Sequence, residues 1–323
     1  MIPKVGAGVI TRNHQDYIEE SINALLQQSL ELFEIVVVDD CSDDETFMKL
    51  EKIAKKHNKV KIIRNENQLG PSGSSNLALK TLSSDFFIYT SGDDISKPNR
   101  AQSQLDFLLD NPKVDCVVSN VDLLIENPNL EQGRLPVFLN SKLKSLELYR
   151  SLFWNQNYLN ASSAFFRRNI REYELFSNKY LFLQDYDLWL RLSLVGKISM
   201  MQDKLLWYRV TSASLSQIAS IENTKENLRL QQELFDILKK SLDAMDRKNF
   251  EIVFSRFIQK FTKVEINQID KNFLVHFILL SHNNVSVRAL AQKNLENIKL
   301  SDFFWAELSK KMRISGDFNS IKP

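Results

Sequence analysis

Between residues 5 and 118, five short apolar runs alternate with amphipathic stretches at near-regular intervals. A chain with this rhythm buries its apolar surface by laying strands side by side and returning through helices. Runs at 5–10, 34–38, 60–63, 86–89 and 114–118 read as strands. Between them, 17–28 sets Ile18, Ile22, Leu25 and Leu26 on one helical face, and 45–56 does the same with Phe47, Leu50 and Ile53. The strands are apolar almost throughout, as required when both faces of a sheet are covered. The expected core is therefore a mostly parallel, three-layer α/β arrangement.

In open α/β sheets, ligands bind outside the carboxyl ends of the strands. Three polar segments follow strand ends directly: Thr11, Arg12 and Asn13 after the first, the acidic stretch 39–44 after the second, and Ser91, Gly92, Asp93 and Asp94 after the fourth. These loops are expected to converge. Lys and Arg total 42 against 40 for Asp and Glu, a formal charge of +2, so no global field draws in nucleic acid and any nucleotide recognition is local. Two cysteines without a CxxC spacing argue against a disulfide framework and for a reducing compartment. The first dozen residues lack the apolar core of a signal peptide. The best apolar run, 273–280, is interrupted by His276 and too short to cross a bilayer, so a cytoplasmic protein is expected.

Further along, the Asn-, Pro- and Gly-bearing segment 126–139 reads as an excursion from the sheet, 143–152 as a helix, 161–166 as a short strand and 185–194 as a partly buried helix. From about residue 217, Gly and Pro almost vanish and helical periodicity takes over. The expected division is an α/β domain over 1–216 and an all-α domain over 217–323.

Asp93 directly follows an apolar run. A carboxylate exposed at a strand end suits a hard divalent ion that bridges phosphate oxygens, although Gly-Asp-Asp chemistry also serves a plain turn. The stretch 39–44 lacks the Gly and the twelfth-position Glu of a calcium loop. It divides instead into Asp39 and Asp40 at the strand end, where a carboxylate can accept the N3–H of a uracil, and Ser42 and Asp43, expected to cap the next helix. Asp185 starts a helix and suits either an N-cap or a general base that takes the proton of an attacking hydroxyl; Asp187 is open in the same way. Trp154, Tyr158, Asn160 and Trp189 suit either packing or contact with an acceptor sugar.

Five segments, in order across roughly residues 4–216, resemble the family-2 glycosyltransferases, inverting enzymes of the GT-A fold. KVGAGVITRN is similar to the family's first-strand segment VSVIIPTYN, and FEIVVVDDCSDDET to FEIIVVDDGSTDGT. NQLGPSGSSNLAL is similar to an Asn-x-Gly…Asn segment and FFIYTSGDDISKP to the Asp-x-Asp segment. QDYDLWLRL with YRVTSASLS looks like the late Glu-Asp and Tyr-Arg-x-His segments. The resemblance implies a nucleotide-sugar donor with UDP as the expected nucleotide, a divalent metal (Mn2+ or Mg2+), and a glycan or lipid-linked glycan acceptor in surface polysaccharide synthesis. It implies that Asp40 binds the uracil, with Thr11 and Arg12 lining the base pocket. It also implies that Asp93 holds the metal, with Ser91 and Gly92 near the ribose and diphosphate, and that Arg209 partners a phosphate. Asp185 is then the catalytic base of a single, inverting displacement at the anomeric carbon.

The departures are specific. Ser91 stands for the first acid of Asp-x-Asp, Arg12 for a frequent Tyr, Gln184 for the Glu before the base, and Thr211 for the His of Tyr-Arg-x-His. Asp93 and Asp185 remain, so an active enzyme is expected. Two other classes compete. A catalytically silent nucleotide-sugar-binding or assembly module, acting through its helical tail, has no need of an acid at 185. A nucleotidyltransferase would want a Gly-rich, basic loop after the first strand, where ITRNHQDY offers none. The unmatched tail is expected to pack on the catalytic domain or in a homodimer interface. Its end, SDFFWAELSKKMR, mixes aromatics and bases in a way also suited to peripheral contact with an anionic membrane.

Overall fold

The first strand, β1 (Val5–Thr11), shows how the sheet is covered. Val5, Ala7 and Val9 face one side, in a core shared with Ile18, Ile22, Leu25, Leu50 and Ile53, while Gly6 and Gly8 face the other. A Cβ on Gly6 would stand 2.5 Å from Ser84 Oγ and 3.1 Å from Leu82. The bare backbone is what lets the second helical layer close on this strand.

The structure is a computed structural model that describes residues 3–126, 143, 145–173, 175–211, 214–260, 267 and 269–295. After β1 come α1 (Ile18–Leu26), β2 (Glu34–Asp39), α2 (Thr46–Lys56), β3 (Val60–Arg64), α3 (Gly70–Thr81), β4 (Phe86–Ser91), β5 (Ile95–Ser96) and α4 (Arg100–Asp110). They are followed by β6 (Cys116–Ile125), α5 (Ser145–Asn155), β7 (Phe165–Arg167), α6 (Gln184–Leu194), β8 (Ile198–Val210) and α7 (Leu215–Ser220). The strands form one sheet in the order β3-β2-β1-β4-β7-β6-β8-β5. Pairs β1–β2, β1–β4, β2–β3 and β6–β8 are parallel, while β7 and β5 join antiparallel. The result is the mostly parallel sheet, covered by helices on both sides, that the apolar runs require.

The chain divides into two units, one of Met1–Ser145 with Asn157–Ser220, the other of Leu146–Gln156 with Ile221–Pro323. The first unit thus runs four residues past 216, and the helical unit takes in most of α5. In the second unit α8 (Lys225–Ala244), α9 (Arg247–Ile258) and α10 (Lys271–Leu280) each start at a side-chain cap: Thr224, Asp246 and Asp270 accept from the N–H groups of Asn227, Asn249 and Phe273. The last described helix is α11 (Val285–Leu295). Phe153 and Trp154 of α5 pack here against Phe254, Phe257 and the ring of His282. Trp154 is therefore a core residue of the helical unit and not a sugar platform. Among the described residues no helix is long and apolar enough to cross a membrane. The excursion beyond Glu126 and the aromatic-basic segment 301–313 lie outside the described residues.

Candidate active site

In the β1–β4 register Ile10 lies opposite Ser91, so the residues after both strands emerge side by side. The backbone of Ser91 is fixed by Ser162 Oγ, which accepts its N–H at 3.1 Å. Gly92 donates its N–H to Ile10 O at 2.8 Å. It has no room for a side chain: a Cβ would stand 2.5 Å from Thr11 Oγ1 and 2.9 Å from Ile18 Cδ1. Thr11 is buried, and its hydroxyl meets His14 Nδ1 at 3.1 Å. The other ring nitrogen, Nε2, lies 3.8 Å from Asp93 Oδ2, with the two side chains 23% and 16% exposed. A ligand can reach both. His14 was missed by sequence reasoning, because a single His three residues past a strand carries no spacing signal.

Next to this pair, Asp94 Oδ1 accepts the Arg209 backbone N–H at 2.9 Å, while Oδ2 is buried with no hydrogen bond of good geometry among the described residues. Burial first, and then the neighbouring Asp93 carboxylate, push the Asp94 carboxyl well above the usual range. Asp94 anchors the loop and Asp93 is its accessible acid. Arg209 lies over the Tyr17 ring at 4.4 Å and donates Nε to the Asp93 carbonyl at 2.9 Å, Nη2 to Glu20 at 2.7 Å, and Nη1 to Glu126. The guanidinium braces the Asp93 loop, and only its remaining N–H groups are left for a phosphate.

Asp40 is buried and accepts from Asn65 Nδ2 at 2.7 Å, Leu69 N at 2.8 Å and Gly70 N at 2.9 Å. These bonds tie it to the start of α3, where a carboxylate complements the helix dipole. A uracil N3–H would share the carboxylate with those donors. Arg12 is exposed, and Gln68, with its amide oxygen turned toward it, accepts from Nη2 at 2.5 Å. The caps expected after β2 are different ones. Ser42 is held by Asp39, accepting Asn13 N–H at 3.0 Å, and Asp43 is bonded through its own N–H to Asn13. Asp44 takes the Thr46 N–H at 2.9 Å instead and opens α2.

Asp185 lies in the first turn of α6, inside the helix, with Leu183 in the N-cap position. Its Oδ2 accepts from Asn157 Nδ2 at 2.9 Å and its Oδ1 from Tyr186 N at 2.8 Å. Burial outweighs these bonds and lifts its pKa to about 6. The Trp189 indole N–H is near enough to favour the ionised form, yet among the described residues it makes no hydrogen bond of good geometry. Tyr89 of β4 feels the charges of both Asp185 and Asp94, so the buried acid stands beside the strand that ends in the Asp93 loop. Asp187 instead binds Arg191 at 2.8 Å and belongs to the packing. The same holds for Trp189, fully buried on Phe166, and for Asn160, whose Oδ1 accepts the Ser163 N–H.

Residues 7–173 match the family model described as Glycosyl transferase family 2. The chain belongs to this family. An uncharacterized glycosyltransferase of Haemophilus influenzae is 29% identical over 238 residues, which cover 70% of this chain and 70% of that protein. The UDP-Glc:alpha-D-GlcNAc-diphosphoundecaprenol beta-1,3-glucosyltransferase WfgD of Escherichia coli is 25% identical over 209 residues, covering 63% of this chain and 76% of that protein. Among solved structures, mannosyltransferase PcManGT from Pyrobaculum calidifontis, in complex with GDP-Man and Mn2+, matches with a TM-score of 0.57 at 16% identity, over 95% of this chain and 84% of that one. That likeness is one of fold. This family-2 glycosyltransferase has the GT-A architecture that its five segments led us to expect. Its Asp93 and His14 give one hard oxygen and one imidazole donor on an accessible face. Such a pair fits a divalent ion that completes its shell with phosphate oxygens and water.

Proposed function

We propose that this family-2 glycosyltransferase moves a sugar from a nucleoside diphosphate donor, with UDP the first nucleotide to test, to a hydroxyl of a glycan or lipid-linked glycan, with inversion, in surface polysaccharide synthesis. One observation carries the reading: of the two acids assigned chemistry, Asp93 is accessible beside His14, while Asp185 is buried and holds its proton up to about pH 6. A divalent ion, Mn2+ or Mg2+, held at Asp93 would offset the charge of the departing diphosphate. Asp93 marks the diphosphate end of the donor, and Arg209 keeps its loop in place. Asp40, Thr11 and Arg12 form the nucleotide end, with Asp40 taking the base N–H and exposed Arg12 offering a planar surface for it. Ser91 and Gly92 lie between, with half-buried Ser91 on the side of the ribose and diphosphate and the bare Gly92 letting Thr11 and Ile18 close beneath the loop.

Asp185 accepts the proton of the acceptor hydroxyl on a carboxylate oxygen, while Asn157 keeps the carboxylate oriented. A proton affinity raised toward neutrality by burial suits that task. Attack from the side opposite the departing diphosphate inverts the anomeric carbon in one displacement. The name of the Escherichia coli relative, with its UDP-Glc donor and diphosphoundecaprenol acceptor, supports a UDP-sugar and a lipid-linked acceptor. Such an acceptor would bring a cytoplasmic enzyme to the inner face of a membrane as a peripheral protein.

The test is a panel of UDP-, GDP- and dTDP-sugars with Mn2+ or Mg2+, read as donor protection against thermal unfolding and as nucleotide release. A UDP-sugar is expected to raise the melting temperature by several degrees and to release UDP when acceptor is present. Failure of every donor in every metal would overturn the reading.

A further inference from the structure

Resting on that reading, we propose that His14 is a protein ligand of the divalent ion, through Nε2, beside Asp93. The ring is built into position from both ends of its own residue. Asn13 turns the chain with φ 54°, a left-handed conformation that Asn tolerates. The His14 N–H then donates to Thr46 Oγ1 at 2.8 Å, and the His14 carbonyl accepts from Tyr17 and Ile18 as α1 begins. The imidazole therefore projects from a fixed backbone at the junction of β1 and α1.

Its two nitrogens have different surroundings. Nδ1 meets the buried Thr11 hydroxyl at 3.1 Å, the kind of outer partner that fixes the tautomer of a metal-binding His. Nε2 is left facing Asp93 Oδ2 at 3.8 Å. That is long for a direct hydrogen bond. With bonds of about 2.1 Å, two ligands of one ion lie roughly 3 Å apart when adjacent and roughly 4.2 Å apart when opposed, so 3.8 Å is within the span of a shared ion. Two side-chain donors leave the remaining positions of an octahedral ion to phosphate oxygens and water. Tight metal binding should therefore require the nucleotide. An imidazole among the ligands also favours Mn2+ or Co2+ over Mg2+, which prefers oxygen.

The experiment is pulsed electron paramagnetic resonance of Mn2+ bound to the full-length protein with UDP, together with Mn2+ titrations in the presence and absence of UDP. The expected result is the 14N coupling of a directly bound imidazole, replaced by a 15N pattern when all four histidines are labelled with 15N, a change that leaves the fold untouched. His14→Gln should abolish the coupling and weaken Mn2+ affinity in the UDP complex by at least about tenfold, and it should narrow the preference for Mn2+ over Mg2+. A Mn2+·UDP complex without imidazole coupling in the unaltered protein would overturn the assignment of His14 and leave the donor reading standing. Absence of any Mn2+ complex with UDP, GDP or dTDP would overturn the assignment of His14, and absence of the Mg2+ complexes as well would overturn the donor reading with it.

Discussion

Burial raises the proton affinity of Asp185, and the same burial makes its ionised form a cost to the fold. Its folded-state pKa of about 6 lies above the ordinary 3.8, so the folded chain binds this proton more tightly than the unfolded one. Its contribution to stability is fully present below the unfolded value and is lost as pH rises from about 4 to 6. Asp185→Asn should accordingly stabilise the protein at pH 8, by at most about 3 kcal/mol, measurable as a higher urea midpoint. In the proposed mechanism the ionised form is the competent one, and kcat/KM should fall about tenfold per pH unit below about 6. Gly92 is constrained sterically: in Gly92→Ala the new Cβ would meet Thr11 Oγ1 at 2.5 Å. We expect a loss of about 1–3 kcal/mol in unfolding free energy and, through displacement of Thr11 and His14, weaker UDP binding by calorimetry. At this scale Asp93 and Asp185 could be singled out as candidates in the sequence because acids at strand ends and helix starts carry a pattern. His14 could not, since what points to it is the approach of Thr11 and Asp93 to its ring through the fold.

Among the elements, strands β1 to β4 and helices α1 and α2 could be read from apolar spacing because each buries a regular face. α3 could not. Its sequence GPSGSSNLALKT is poor in helix formers, and tertiary bonds hold it: Asp40 receives the N–H groups at its start, and Ser75 meets the Tyr89 hydroxyl at 2.8 Å. The expected strand at 161–166 is cut short for a similar reason, since Asn160 turns Ala161–Ser163 into a 3-10 helix and leaves only Phe165–Arg167 in the sheet. Glu34, at the start of β2, does comparable work. Burial alone would raise its pKa, but bonds from Ser83, Lys61 and Ser84 outweigh that and bring it to about 2. Its stabilisation is present above the unfolded value near 4.5 and lost as pH falls through about 2. Glu34→Ala leaves the Ser83 and Ser84 donors unpaired and should cost about 2–4 kcal/mol at pH 7 in chemical unfolding. The unaltered protein should lose that advantage in acid.

The molecule is two units with separate cores, and each has its own acid response. In the helical unit, His282 Nδ1 accepts the Asn284 N–H at 3.0 Å, and Nε2 meets the Phe153 carbonyl at 2.7 Å. Burial lowers the His282 pKa from 6.5 to about 4, so the ring is neutral in the folded state. The stability it confers is full above about 6.5 and is lost as pH falls toward 4. Hydrogen exchange should show the amides of α9 and α10 losing protection across that window before those of β1 and β2. The α/β unit holds most of the segment that matches the family, and in the proposed mechanism Asp185 serves the reaction without serving the donor. The decisive measurement is a paired one on Asp185→Asn: donor affinity by calorimetry with UDP-sugar and Mn2+, and transfer rate with acceptor. A fall in kcat of about a thousandfold or more with donor Kd nearly unchanged is the predicted result. Equal loss of donor binding and transfer, or transfer that survives the substitution, would contradict it.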